Sequence, residues 1–408
     1  MNVDQLSENT TLNGPPAPAK DEASTTSFWG KWWYAAKQVL PLYIAIHVAF
    51  LVLSYCAILF LYKDYFKAQQ TLSGMLQMWH REDVNWYIGI AKHSYTSVKT
   101  TAFFPLFPLL MYALSFPLGG HYFLAGMLIS NAAWFVMLAV LFQLVKEEFD
   151  EARAHKTVLY LSVFPAALFF ATAYTETLFI ALMLISFYSI RKGYWWWAAI
   201  FAFLAGLTRS SGVFLAIPFC YEYLRQRQFK VRAIRWDILS IALIPFSVIL
   251  FGAFCFWKFN DPLSFTHAQV YWVRVLSPPW FAFASTIDFI SRKGFMGFWG
   301  IRNMLDLYGT AVPLILLILG TVGPWRLRKE YLSYLLLGWT LFIFVIIVPI
   351  HTAFPLQSTP RLMLELFPSF IVLAGLGKNR YVHLNYVFVS AMMLFILLTL
   401  YLTFHWVV

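Results

Sequence analysis

Along the chain, apolar blocks of about 14 to 24 residues alternate with short polar turns rich in Lys and Arg, the pattern of helices that cross a bilayer. The first crossing is predicted at 39–62, behind an interfacial flank of Lys31 and Lys37 with Trp29, Trp32, Trp33 and Tyr34 that places the N-terminus inside. Further crossings are predicted at 122–145, 157–173, 174–190, 195–208, 211–224, 237–257, 303–323, 331–350, 361–377 and 384–405. That makes about eleven transmembrane helices, with the C-terminus outside. Several fall short of the ~20 residues a perpendicular crossing needs, and 195–208 with 211–224 has a second reading as one kinked helix with Arg209 inside it.

The segment 103–118 is apolar but cut by Pro105, Pro108 and Pro117, too closely spaced for a helix interior. If it crossed, every later loop would change sides. The basic loops from Arg225 to Arg235, Arg326 to Lys329 and Lys378 to Arg380 all come out cytoplasmic only if it dips in and returns. A re-entrant or interfacial segment is therefore expected near 103–118, with outside loops at 63–101 and 258–302. Residues 1–27, rich in Ser, Thr, Asn, Pro and Ala, read as a disordered cytoplasmic tail. Residues 28–408 read as a single membrane-embedded domain.

Composition agrees with this class. Hydrophobic residues make up 60 % and charged ones 12 %, against roughly 25 % charged in soluble domains, and the mean hydropathy is +0.66. The expected fold is an all-α polytopic membrane protein, since a β-barrel would show ten-residue alternation instead. A net charge of +11 would suggest nucleic acid in a soluble protein. Here the basic residues sit in short loops, so no nucleic-acid partner is expected, and the charge serves topology and anionic membrane lipids. Cys56, Cys220 and Cys255 lie in apolar surroundings and read as buried thiols.

The informative stretch is 79–110, where the adjacent acids Glu82 and Asp83 precede Trp86, Tyr87, Ile90 and Ala91 at helical spacing. A short helix on the bilayer surface is expected there. On the predicted topology the same side carries Tyr174 to Glu176, Thr208 and Arg209, Asp261 to Gln269, Asp306, and Gln357 to Arg361. A carboxylate at mid-bilayer costs ~2.5–3.5 kcal/mol on insertion scales, so such residues face a partner or a cavity. Paired carboxylates under a low-dielectric roof can supply a base for a hydroxyl, and arginines can hold a phosphate bidentately. Together these groups suit sugar transfer from a lipid-phosphate donor. Plainer readings exist for each: solvated loop acids, Glu176 reaching water at a span end, a snorkelling Arg209, an ordinary loop at 261–274. His80, His93 and His267 lack metal-ligand spacing, so no metal and no cofactor is expected.

These residues carry a resemblance. DVNWYIGIA at 83–91, Tyr95 and FFPLFP at 103–108 resemble the signature loop of the PIG-V-like mannosyltransferases, which include GPI mannosyltransferase 2 and bacterial relatives. The likeness continues in order through YTETLF at 174–179, TRSSG at 208–212, Asp261-Pro262-Leu263 with Phe265, His267, Gln269 and Trp272, and Pro360-Arg361 with Phe367-Pro368. The resemblance implies a GT-C glycosyltransferase architecture and an inverting, metal-independent transfer of mannose from a polyprenyl- or dolichyl-phosphate donor to a glycolipid or glycan acceptor. It makes Asp83 the general base, with Glu82 as its acidic neighbour. Because this chain carries Glu82 where the family places Trp, both carboxylates stay open as the base. Trp86, Tyr87, Glu176, Arg209, His267, Gln269 and Arg361 become substrate-binding candidates, with Arg209 and Arg361 chosen for the donor phosphate by charge and side. The site would face the extracytoplasmic or lumenal side of a bacterial plasma membrane or the ER.

Two rivals belong to other classes. A transporter or flippase would want inverted repeats and ionisable residues at mid-span, whereas the polar groups here collect on one side. A non-catalytic subunit would bind a partner through 258–302.

Overall fold

The structure, a computed structural model, describes residues 28–61 and 71–405. The tail expected at 1–27 and the start of the loop expected from 63 lie outside the described residues. Helix α1 (Phe28–Leu61) comes first, followed by α2 (Leu72–Gln77), α3 (Asp83–His93) and α4 (Leu106–Ser115). A second run is α5 (Tyr122–Glu148), α6 (Glu151–Ser162), α7 (Glu176–Lys192), α8 (Trp195–Thr208) and α9 (Ala216–Gln226). Next come α10 (Leu243–Phe259), α11 (Ser264–His267), α12 (Phe281–Lys293) and α13 (Phe298–Thr321). The last are α14 (Leu332–Ile346), α15 (Thr359–Leu362), α16 (Phe367–Leu376) and α17 (Arg380–Leu402).

Among the described residues, six helices are long and apolar enough to cross a membrane: Phe28–Leu59, Tyr122–Glu148, Trp236–Phe259, Phe298–Thr321, Lys329–Ile346 and Arg380–Leu402. A seventh results if Thr359–Glu365 and Phe367–Leu376, bent by 78°, count as one span. The expectation of about eleven transmembrane helices is corrected to six or seven.

The reason is that hydropathy does not separate a side chain buried in protein from one bathed in lipid. The crossings expected at 157–173 and 174–190 consist of α6, a 3-10 turn at Pro165–Phe170 and α7, and every residue from Phe164 to Thr177 is buried. The run Phe164–Ala171 is apolar because it fills the interior. The next expected pair reduces to α8, of 14 residues, then a 3-10 turn at Ser210–Leu215 and α9, of 11 residues. By contrast only 22 % of the apolar window of α1 is buried, and Ile44, Val48, Leu51 and Val52 are exposed as lipid-facing side chains would be.

Helix α4 has ten residues, about 15 Å of rise against a hydrocarbon core of about 30 Å. It packs on α5, where Gly126 leaves room for Met111 of α4. Of the three thiols expected to be buried, Cys255 is, whereas Cys220 is exposed and Cys56 half-buried.

Helix α7 defines the two ends of the bundle. Its first residue, Glu176, meets Arg209 and Arg361, while Arg191 near its last turn meets Glu148 and Glu222. These ends lie about 22 Å apart along the helix. The basic turns after α9, after α13 and before α17 all sit at the Arg191 end, and the acidic start of α3 sits at the other.

Candidate active site

Four segments converge at the Glu176 end, and each is placed by a local device. Helix α3 buries Val84, Tyr87, Ile90 and Ala91 against α4 and α5, which leaves Asp83 in its first turn, where the positive helix end favours a carboxylate. The backbone before it is turned sharply, with Glu82 at φ 49°. Helix α7 starts at Glu176 directly after a chain reversal whose Tyr174 carbonyl is held by Ser130 Oγ of α5 at 2.9 Å. Arg209 caps α8, and the chain folds back so tightly that a Cβ on Gly212 would lie 2.4 Å from the Gly206 nitrogen. Arg361 lies in α15, with Ser358 at φ 63° before it. Gly309 of α13 makes way for Pro360, since a Cβ there would approach the proline Cβ to 2.6 Å.

The result is a chain of opposite charges. Arg361 Nη1 donates to Asp83 Oδ2 at 2.8 Å, and its Nε lies 3.0 Å from Glu176 Oε1. Arg209 Nη1 donates to the same Glu176 oxygen at 3.0 Å and lies 3.5 Å from Glu365 Oε1. Glu176 and Glu365 are each about 1 % exposed. Aromatic rings wall the arginines: Tyr174 and Phe169 face Arg361, and Phe179 faces Arg209. Charges this dry persist only when paired. Glu176 is the hub, shared by both guanidinium groups, and its Oε2 has no hydrogen-bond partner among the described residues.

Tyr87, one turn from Asp83, is buried against Phe103, Phe107 and Tyr174, and its hydroxyl lies 3.2 Å from Thr175 Oγ1. Burial, reinforced by the Asp83 charge, holds its phenol well above the usual range, so it stays a neutral donor. Trp86 shares the Phe103 ring with Tyr87. It stacks on Phe103 and meets Trp272 edge to face, with Lys99 Nζ 4.8 Å from its ring and 5.4 Å from that of Trp272. An aromatic pair with a bound cation of this kind can receive a sugar face or an anionic group.

Of the candidates from sequence, Asp83, Glu176, Arg209 and Arg361 come together, with Tyr87 in the adjoining wall. Glu82 sits beside the cluster, 4.0 Å from Arg81. His267 and Gln269 engage their own loop instead: His267 Nδ1 lies 2.8 Å from Asp261 Oδ2, and Gln269 Nε2 donates to the Phe265 carbonyl at 3.3 Å. That imidazole is the main reason the half-buried Asp261 carboxyl sits below its ordinary range. Asp306, also expected among the outside groups, is buried within α13 in a pair with Arg302.

Two residues were missed. Glu365 lies one helical turn after Arg361, and an acid inside an apolar run was itself a signal. Arg274 follows Val273, which is held at φ 53°, a conformation unusual for a β-branched side chain. Its loop is tied to the chain after α14 by the Arg274–Ile350 bridge, and its Nη1 donates to the Val348 carbonyl at 3.3 Å. Burial, then the charges of Arg361 and Arg209, push its pKa down to about 10. Residues of positive φ thus directly precede Asp83 and Arg274, and Ser358 opens the short helix that carries Arg361; strain of this kind costs about 1–3 kcal/mol each. Among the described residues no group of three or more His, Cys, Asp or Glu is placed to share a metal ion.

Gly309→Ala tests how Arg361 is placed. Overpacking against Pro360 should cost about 1–3 kcal/mol, read as a lowered Tm; an unchanged Tm would show that this contact holds nothing in place.

No protein-family model and no curated protein matches the sequence. Among solved structures the chain is similar to the crystal structure of ArnT from Cupriavidus metallidurans bound to undecaprenyl phosphate, with a TM-score of 0.51 at 14 % identity. The match covers 83 % of this chain and 59 % of that one. An archaeal oligosaccharyltransferase, AglB from Archaeoglobus fulgidus in complex with an inhibitory peptide and a dolichol-phosphate, aligns at TM-score 0.43 and 11 % identity, over 93 % of this chain and 57 % of that one. Only the first score bears on the fold. The chain spans less than two thirds of the length of either protein. The likeness to ArnT makes the fold GT-C-like, an all-α polytopic membrane architecture.

Proposed function

We propose that the chain is a membrane glycosyltransferase that moves mannose, with inversion, from a polyprenyl- or dolichyl-phosphate donor to a hydroxyl of a glycolipid or glycan acceptor. On this reading it is of the PIG-V-like kind, residues 28–408 act as one unit, and loops 63–101 and 258–302 form the active-site face. The observation that carries it is the Asp83–Arg361–Glu176–Arg209 chain, a candidate base joined to two mostly buried arginines. The likeness of the fold to ArnT, whose crystal structure holds undecaprenyl phosphate, supports a donor of that class.

The chemistry follows from the charges. The acceptor oxygen attacks the anomeric carbon in line, the bond from that carbon to the phosphate oxygen breaks, and the phosphate leaves with the electron pair. The acceptor proton passes to Asp83, the first choice of base over Glu82. Arg361, with Arg209 and Arg274 behind it, meets the phosphate. Because Arg361 already holds Asp83, an arriving phosphate competes with that carboxylate for the same fork, and donor binding frees Asp83 to accept a proton. Tyr87 positions the neighbouring helix, and Trp86 with Trp272 offers a face for the sugar.

Orientation is supported by charge. The basic turns lie at the Arg191 end of the bundle, and the positive-inside rule makes that end cytoplasmic. The acidic cluster then opens on the extracytoplasmic or lumenal side, in a bacterial plasma membrane or the ER.

The experiment is incubation of purified protein with polyprenyl-phosphate-mannose and a panel of hydroxyl acceptors. Mannosylated product supports the reading. Substrate crossing the membrane with no glycosidic product would replace it with transport.

A further inference from the structure

The Arg191 end holds a charged cavity of about 810 Å³, remote from the Asp83 cluster. Its walls come from the end of α5, the start of α6, the turn between α13 and α14, and the turn between α16 and α17. Its charged lining is Glu148, Asp150, Arg153, Arg326, Arg328 and Lys378. Both acids are already committed. Glu148 takes both oxygens to Arg191, and Asp150 caps α6 by accepting from the Arg153 backbone nitrogen at 2.7 Å. Among the described residues, Arg328 is the one base of this lining with an ion pair, to Glu330 at 3.7 Å, and both of those are exposed. Among the described residues, Arg153, Arg326 and Lys378 form no ion pair.

Arg153 is the telling member. Its guanidinium lies on the Phe149 ring, 4.9 Å from the centroid, and fits above Gly375, where an added Cβ would come within 3.0 Å of Nη2. Its Nε is buried without a hydrogen-bond partner among the described residues. A guanidinium fixed by packing, with a dry N–H left over, is short of an anion. The walls around it are tied down: Tyr331 donates to the Glu148 carbonyl at 2.7 Å and stacks on Phe149, and Lys156 donates to the Gly377 carbonyl at 2.8 Å. The cavity is therefore a formed receptacle with a base fixed by packing, Arg153, and two exposed bases, Arg326 and Lys378, on its rim.

We propose that this cavity is an anion site for a phosphate group, supplied by the headgroup of an anionic phospholipid in the leaflet at that end. A headgroup phosphate would sit on Arg153, with Lys378 and Arg326 closing over its remaining oxygens, and the acyl chains would run out along the lipid-facing helices. The site does not depend on the reading of the Asp83 cluster. Basic pockets between membrane helices bind such headgroups, whereas a purely topological role for these residues needs only their sign and side.

The test uses the purified full chain in detergent, supplied with phosphatidylcholine alone, with added phosphatidylglycerol, or with inorganic phosphate. Retained lipid is read by native mass spectrometry and Tm by thermal denaturation. Phosphatidylglycerol is expected to remain bound and raise Tm where phosphatidylcholine does not. Arg153→Ala should weaken that binding about tenfold or more. If Arg153→Ala fails to fold, Arg326→Glu with Lys378→Glu, both at the exposed mouth, should produce the same loss. An equal Tm rise with inorganic phosphate, lost in the variants, supports the anion site while assigning it to free phosphate. Phosphatidylglycerol retention unchanged in the variants overturns the proposal.

Discussion

Replacing Asp83 with Asn is expected to lower sugar transfer by about 10²- to 10⁴-fold, the scale on which a general base contributes. The substitution keeps the shape of the side chain and an oxygen for Arg361, whose Nη1 lies 2.8 Å from Asp83 Oδ2. On the proposed mechanism, what it removes is the group that takes the acceptor proton. The protein should remain folded, at a cost of about 1.5–3 kcal/mol for weakening a charged hydrogen bond, which a Tm measurement would register separately from turnover. Glu82→Gln is the companion experiment. If the Glu82 variant loses activity on this scale and the Asp83 variant does not, the base is Glu82. Wild-type turnover in both would remove these carboxylates from the mechanism.

The second large effect is expected at Arg361. Arg361→Lys keeps the charge but loses the planar fork that bridges Asp83 and Glu176. The KM for the lipid-phosphate donor should rise about 10- to 100-fold, equivalent to roughly 1.4–2.7 kcal/mol of lost phosphate binding. The KM for the acceptor should move little. Arg361→Ala goes further, because it leaves Glu176 and Asp83 facing each other with one cation fewer in a buried site. Breaking a buried pair in this way costs about 3–5 kcal/mol, so that variant should lose stability as well as activity. A Lys variant with an unchanged donor KM would show that Arg361 serves the fold alone.

The class of fold and much of the cluster were legible in the sequence for one reason: charge is expensive in an apolar chain. Asp83, Glu176, Arg209 and Arg361 stood out against long hydrocarbon-compatible blocks, and the chain indeed gathers them at one end. Glu365 obeyed the same logic and went unnoticed because its neighbours looked like an ordinary span. Arg274 was harder, since its place depends on a loop held by the Arg274–Ile350 bridge and by the backbone of Val273 at φ 53°, neither of which leaves a mark in composition.

The number of crossings was not legible, because the buried run from Phe164 to Ala171 is as free of charge as a lipid-facing helix. What distinguishes them is the surrounding protein, as the contrast with the exposed face of α1 makes plain. His267 and Gln269 illustrate the opposite limit. The family resemblance made them substrate-binding candidates, but their side chains engage Asp261 and the Phe265 carbonyl of their own loop.

The most direct measurement is the product formed when the purified chain meets polyprenyl-phosphate-mannose and a hydroxyl acceptor in detergent or vesicles. The account predicts a mannosyl glycoside whose anomeric configuration is inverted relative to the donor, formed by the wild type and nearly absent with Asp83→Asn. A retained configuration, or product formed equally well by the Asp83 and Glu82 variants, would contradict it.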